Sequence, residues 1–220
     1  MTEKKDWTRE ELEQDYANTM SAVTLPVQLK IDGTTRIFDF SQAEAILKKA
    51  KVISLGECYC RKRVQACDGP LDVCLGFDNE AELLISKGEG RQVTLDEALT
   101  ALKQSHDAGL VHISYTNKGE SEPFVICSCC TCCCHSLSGL MRFDLPDLVV
   151  ESDLVALQNE DVCIHCGVCV DRCHFQARNI EIGTLKYEPS KCFGCGVCVS
   201  TCPVEAISMV NRLKIESRKD

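Results

Sequence analysis

Apolar and polar positions change period several times along the N-terminal half of the chain, and each change predicts an element. Val27-Gln28-Leu29-Lys30-Ile31 and Arg36-Ile37-Phe38-Asp39-Phe40 alternate around Asp32-Gly33, the pattern of a hairpin. Ala43, Ile46, Leu47 and Ala50 recur at helical spacing, as do Leu95, Ala98, Leu99 and Leu102. Thr8-x-x-Glu11, Ser41-x-x-Glu44 and Thr94-x-x-Glu97 have the spacing of capping boxes, in which two backbone N–H groups at a helix start find side-chain partners. Gly109 is a natural helix stop, and Leu110-Val111-His112-Ile113-Ser114-Tyr115 after it reads as a strand. This half is expected to be a mixed α+β domain.

The C-terminal part repeats itself. Cys163 to Ala177 can be laid over Cys192 to Ala206, with Cys-x2-Cys-Gly-Val-Cys-Val-x2-Cys shared and an alanine four residues after the last cysteine. Of the 18 cysteines in 220 residues, none precedes Cys58, ten fall between Cys58 and Cys134, and eight between Cys163 and Cys202. The stretch around Phe143 to Asp153, broken by Pro146, separates the two groups. The expected domains are 1–150 and 151–220.

Composition narrows the chemistry. The charged N-terminus has no apolar core of a secretory signal, and no stretch is long and apolar enough to span a membrane. The expectation is therefore a cytoplasmic protein, where thiols stay reduced and serve more readily as metal ligands than as disulfides. A net charge of -9 argues against a nucleic-acid surface. With 12 aromatic residues (seven Phe, four Tyr, one Trp), the core must lean on small aliphatics and on whatever the cysteines hold.

The repeat carries the strongest chemical pattern: Cys163-x2-Cys166-x2-Cys169-x3-Cys173, then Cys192-x2-Cys195-x2-Cys198-x3-Cys202-Pro203. Three cysteines on a tight loop can wrap three corners of a 4Fe-4S cubane. The fourth, displaced onto a short helix, reaches the other cluster. On that rule Cys163, Cys166, Cys169 and Cys202 hold one cluster, and Cys192, Cys195, Cys198 and Cys173 the other. Gly167, Gly194 and Gly196 relieve backbone crowding near the sulfurs. Paired zinc sites also use Cys-x2-Cys, but four cysteines in each run, duplicated, with proline after the last, are poor zinc spacing.

From about Val155 to Val210 the chain resembles the bacterial two-cluster ferredoxins. The resemblance implies a compact βαββαβ-like domain with pseudo-twofold symmetry and one-electron transfer at low potential. His174 departs from the pattern, standing where the first motif would carry proline. His174 and His165 flank ligand cysteines and are read as solvated loop residues.

A second constellation comprises Cys58, Cys60, Cys67 and Cys74, then Cys127, Cys129, Cys130, Cys132, Cys133 and Cys134. Ten thiols exceed the four that one cubane takes. As a strand, the second run would place Cys130, Cys132 and Cys134 on one face and Cys129 and Cys133 on the other. As a helical turn it would bring Cys130, Cys133 and Cys134 together. Either way one short segment could serve two sites. One or two additional Fe–S clusters are the leading expectation for these ten, with zinc or redox-active dithiols as alternatives.

Cys58-x-Cys60-Arg61, Asp72-Val73-Cys74-Leu75 and the run Cys127–Cys134 together resemble ferredoxin-fused, cysteine-rich Fe–S proteins of anaerobes. That resemblance implies a redox role without a substrate. Arg61, Lys62 and Arg63 either offset an anionic cluster or form a solvated loop, and Lys87-Gly88-Glu89-Gly90-Arg91 reads as a turn rather than a nucleotide loop.

The expected function is electron transfer through two 4Fe-4S clusters plus N-terminal centres, to a redox partner with a basic docking surface. A redox enzyme fed by the ferredoxin domain is the alternative, and a cluster-dependent sensor a third possibility. The oligomeric state is not legible.

Overall fold

A computed structural model of the chain describes residues 5–15, 20–25, 28–30, 37–39, 45–117 and 123–212. It divides into two compact units, Met1–Val23 with Ala43–Val150, and Thr24–Gln42 with Glu151–Asp220. The cysteine distribution counts segment 24–42 with the N-terminal region. The structure groups it with the second unit, since a cysteine-free hairpin carries no mark of the surface it will cover.

The first unit is built on a six-stranded sheet. Its strands are β1 (Met20–Leu25), β4 (Ile53–Glu57), β5 (Asp72–Phe77), β6 (Gly90–Gln92), β7 (Val111–Asn117) and β8 (Val125–Cys129). They lie in the order β1-β7-β8-β5-β4-β6, and the pairings from β7 through β6 are antiparallel. Helix α1 (Arg9–Asp15) begins at the expected Thr8–Glu11 box, with Glu11 N donating to Thr8 Oγ1 at 3.2 Å and Thr8 N to Glu11 Oε2 at 3.0 Å. Two further helices are α2 (Tyr59–Val64) and α3 (Asp78–Ser86). Helix α4 (Leu95–Asp107) carries the Thr94–Glu97 capping box and ends before Gly109, whose φ is +83°. Helix α5 (His135–Arg142) follows the cysteine run.

The segment 87–89 turns from α3 into β6, as the Gly88-Glu89-Gly90 spacing suggested. Of the helix expected over 43–50, Ala45–Leu47 is helical and a turn follows, while the Ser41–Glu44 box lies outside the described residues.

Alternation along β8 sorts its side chains. Ser128 pairs in register with His112 of β7 and meets that ring's Nδ1 at 2.9 Å, while the His112 ring stacks on His106 of α4 at 6.1 Å. Ser128 therefore faces α4, and Cys127 and Cys129 face the opposite side of the sheet. Leu75 is registered opposite Ile126, so Cys74 falls on the same side as the two cysteines.

The second unit contains the expected hairpin, β2 (Gln28–Lys30) antiparallel to β3 (Ile37–Asp39) with Leu29 opposite Phe38. Strand β9 (Leu154–Gln158) pairs with β12 (Ile207–Asn211), and β10 (Arg178–Glu181) pairs with β11 (Thr184–Tyr187). The repeat is visible bond by bond. Val170 N and Cys173 N donate to Gly167 O and Val170 O; 29 residues later Val199 N and Cys202 N donate to Gly196 O and Val199 O.

Only the first copy is regular enough to form a helix, α6 (Val168–Asp171). The second is a run of turns, so the βαββαβ expectation holds with its second helix reduced. Cys173 and Cys202 lie just beyond these segments rather than on them. Ala156, Cys169, Leu185, Val199, Ile207 and Met209 form the core between the two small sheets.

Gly194 has φ +75°, and a Cβ there would sit 2.0 Å from the carbonyl oxygen of Leu154. Gly183 has nearly the same φ, +74°, with nothing within 4 Å of a built Cβ. Gly183→Ala should cost about 1 kcal/mol of left-handed strain, and Gly194→Ala about 3 kcal/mol or more, because the backbone must also move apart. Anaerobic thermal unfolding of the two variants checks this; equal shifts would contradict it.

Candidate functional site

The second unit contains two clefts walled by cysteine. One is lined by Cys163, Cys166, Cys169 and Cys202, the other by Cys173, Cys192, Cys195 and Cys198. Each collects three cysteines of one motif and the fourth of the other. The chain crosses because the turn after each triplet carries its last cysteine away, and the β9–β12 and β10–β11 pairings fold the two copies face to face.

The surroundings suit anionic sulfur. Ala177 N donates to Cys173 Sγ at 3.3 Å, and Ala206 N to Cys202 Sγ at 3.2 Å, the same bond in each copy. Burial pushes the Cys198 thiol up to about 12 and Cys195 well above its ordinary range, so charge at these sulfurs needs a compensating cation.

Sequence reasoning passed over Arg178, which supplies positive charge at this point. It is 3% exposed, its guanidinium lies 4.1 Å over the Tyr187 ring, and its Nη2 is buried without a hydrogen-bond partner. Burial works against its charge, but the sulfurs of Cys198 and Cys169, one from each cleft, outweigh that and hold it cationic. A buried guanidinium that keeps a spare donor and interacts with a sulfur of each cleft fits polynuclear anionic groups there. Nothing in periodicity marks an arginine at the start of a strand as buried.

His165 is not a free loop residue. Its Nδ1 accepts from Leu185 N at 3.2 Å, and its φ of +55° matches the left-handed backbone at Gly194, its counterpart in the repeat.

In the first unit the ten thiols separate into six and four. The six interact electrostatically in a closed sequence of neighbours: Cys58 with Cys60, Cys60 with Cys134, Cys134 with Cys129, Cys129 with Cys127, Cys127 with Cys74, and Cys74 with Cys58. Strands β5 and β8 contribute Cys74, Cys127 and Cys129 from one sheet face. Cys58 and Cys134 are the N-cap residues of α2 and α5, where the helix ends favour negative charge.

The ring alternates. The neighbouring Cys60 and Cys74 thiols hold Cys58 down to about 3, Cys129 and Cys74 hold Cys127 down to about 5, and Cys129 and Cys60 hold Cys134 low. The alternate thiols, Cys60, Cys74 and Cys129, are pushed up correspondingly. His135 Nδ1 lies 3.2 Å from Cys60 Sγ, and Tyr115 Oη, bonded to Ser136 Oγ at 3.2 Å, lies 3.7 Å from Cys134 Sγ.

The remaining four, Cys67, Cys130, Cys132 and Cys133, form a tighter group with all sulfurs within 4.8 Å of one another. Cys67 follows α2. The other three occupy the turn between β8 and α5, which closes through Cys134 N to Cys130 O at 3.0 Å. Beyond Cys129 the run is thus neither strand nor helix. The turn directs Cys130, Cys132 and Cys133 to one site and Cys129 and Cys134 to the other, a grouping that neither regular geometry predicts. Trp7, the only tryptophan, anchors this turn by donating from Nε1 to Cys133 O at 2.8 Å.

Of the basic triplet, Arg61 is the one drawn inside, 2% exposed, donating to Pro70 O, to Ser128 O at 3.2 Å and to Cys130 Sγ at 3.7 Å. Burial opposes its charge, and the sulfurs of Cys58, Cys130 and Cys67 override it. Arg63 instead pairs with Glu11 at 2.9 Å and covers the Trp7 ring at 3.8 Å, while Lys62 pairs with Glu57 on the surface.

Arg61→Met would leave both thiol groups without this cation. It should lower stability by about 3–5 kcal/mol, the range for a buried charge stripped of its partner. Anaerobic chemical denaturation measures it, and an unchanged midpoint would remove Arg61 from this role.

Among the described residues, no helix is long and apolar enough to cross a membrane. No curated protein matches the chain. Residues 156–209 match the family described as 4Fe-4S dicluster domain, which makes the C-terminal part of this chain a 4Fe-4S ferredoxin-like domain.

Proposed function

We propose that the protein is an iron–sulfur electron carrier with two 4Fe-4S clusters in its ferredoxin-like unit and a further redox centre in the six-thiol ring. The observation that carries this reading is the pair of clefts, each walled by four cysteines drawn from both motifs. In it Cys163, Cys166, Cys169 and Cys202 hold one cluster, and Cys173, Cys192, Cys195 and Cys198 the other. When bound, such clusters supply one-electron chemistry at low potential.

The chain's own part is to shield most of the sulfurs from water, donate N–H bonds to Cys173 and Cys202 and hold Arg178 near a sulfur of each set. The ring of six thiols exceeds the four ligands of a single ion or a cubane, which favours a polynuclear Fe–S group there. The net charge of -9 favours a partner with a basic docking face, in a salt-sensitive complex.

A second reading, a redox enzyme fed by the ferredoxin unit, draws on Tyr115 and His135, two proton-bearing groups beside ring thiols. Added cyanide separates the two. A shift in the N-terminal EPR signal would reveal an open iron position and favour the enzyme, whereas an indifferent signal favours the carrier.

Anaerobically purified protein should contain at least eight irons and eight acid-labile sulfides per chain, with EPR of interacting reduced clusters. Fewer than eight sulfides in fully loaded protein would refute the carrier as stated. Cys195→Ser should damage one ferredoxin cluster and spare the N-terminal spectrum. Arg178→Met removes a cation that favours the reduced, more negative state. Both ferredoxin couples should therefore move to more negative potential by several tens of millivolts, on the scale of about 59 mV per tenfold for one electron. EPR-monitored redox titration reads this, and a shift confined to one couple would mean that Arg178 serves only one cleft.

A further inference from the structure

We propose that Cys67, Cys130, Cys132 and Cys133 bind a single divalent ion, zinc or iron(II), in a tetrahedral tetrathiolate site separate from any cluster in the six-thiol ring.

Spacing is the argument. Four sulfurs around one ion at a metal–sulfur distance of about 2.3 Å stand about 3.8 Å apart, the edge of the tetrahedron they form. Here Cys67 Sγ lies 3.7 Å from Cys130 Sγ and 3.8 Å from Cys133 Sγ, and all four sulfurs fall within 4.8 Å of one another. Around a cubane each thiolate stands outside its own iron, so the four sulfurs must be more widely spread than around one shared ion. The ferredoxin-like unit provides the comparison within the same molecule. Among the described residues, no three of its eight cysteines come as close together as these four do. In a two-iron cluster the sulfurs on different irons would likewise be driven apart.

Charge and connectivity agree. Four thiolates around a divalent ion leave a net charge of about -2. The buried Arg61 guanidinium lies 3.7 Å from Cys130 Sγ, and Arg142, held at the end of α5 by Asp6 at 2.6 Å, adds positive potential at Cys132 and Cys133.

All four positions are filled by protein, which leaves no place for substrate and marks a structural ion. Its position gives it a task. Cys67 lies just beyond the helix that begins at Cys58 and contains Cys60, and the other three lie between Cys129 and Cys134. The ion therefore ties together the two chain segments that carry four of the six ring cysteines.

The test compares the full chain with its Cys132→Ser variant, both purified anaerobically, for zinc, iron and acid-labile sulfide. Loss of one zinc, or of one iron, per chain with sulfide unchanged supports the site and identifies its ion. Loss of two or four irons with matching sulfide, or no lone metal in the parent chain, overturns it.

Because the variant could fail to fold, the unsubstituted chain is also produced with Co2+ supplied. One cobalt per chain, with sulfur-to-cobalt charge-transfer bands and the intense visible bands of tetrahedral coordination, supports the site. Absence of such bands in chain that retains its sulfide overturns it.

Discussion

Sulfur that is to carry negative charge away from water needs a partner, and this constraint governs both units. A buried thiolate is costly unless it receives hydrogen bonds, shares a metal or faces a cation. Each unit answers with one arginine taken almost wholly inside, Arg61 in the first and Arg178 in the second. Both guanidiniums keep their charge against burial because the surrounding sulfurs hold them cationic. Around these two side chains the rest of the local architecture is arranged: Pro70 and Ser128 accept from Arg61, and Tyr187 stacks under Arg178.

The two units reach the same end by different means. In the ferredoxin-like unit a duplicated loop does the work, and the two copies agree down to individual hydrogen bonds such as Ala177 to Cys173 and Ala206 to Cys202. In the first unit nothing repeats. One sheet face presents Cys74, Cys127 and Cys129, two helix starts present Cys58 and Cys134, and the turn Cys130–Cys133 sends its three sulfurs elsewhere. A regular element would have mixed the two groups, since both strand and helix periodicity combine Cys134 with Cys130. The irregular turn, anchored by Trp7 to Cys133 O, is what permits two adjacent sites.

Local structure was legible wherever it depends on neighbours in sequence. Two capping boxes, the helix stop at Gly109, the strand after it and the two antiparallel strands around 28–39 all follow from short-range patterns, whereas the pairing of Leu29 with Phe38 does not. The reduced second helix of the ferredoxin-like unit was not legible, because its copy carries the same cysteines and differs only in backbone regularity. Nor was the status of Arg61, Lys62 and Arg63, three adjacent cations of which one is buried, one half-buried and one exposed.

By itself the sequence determined the chemical type of the protein. Eight cysteines in two registered motifs carry their own geometry, because ligand spacing of two and three residues is a local property of the chain. What the ten remaining cysteines form was decided only by the tertiary structure. Cys58, Cys60, Cys67 and Cys74 lie more than fifty residues from the run they meet, and which sulfur meets which depends on strand register, on the faces of β5 and β8 and on the path of one turn. Those are consequences of packing over long sequence separation, where no spacing rule reaches.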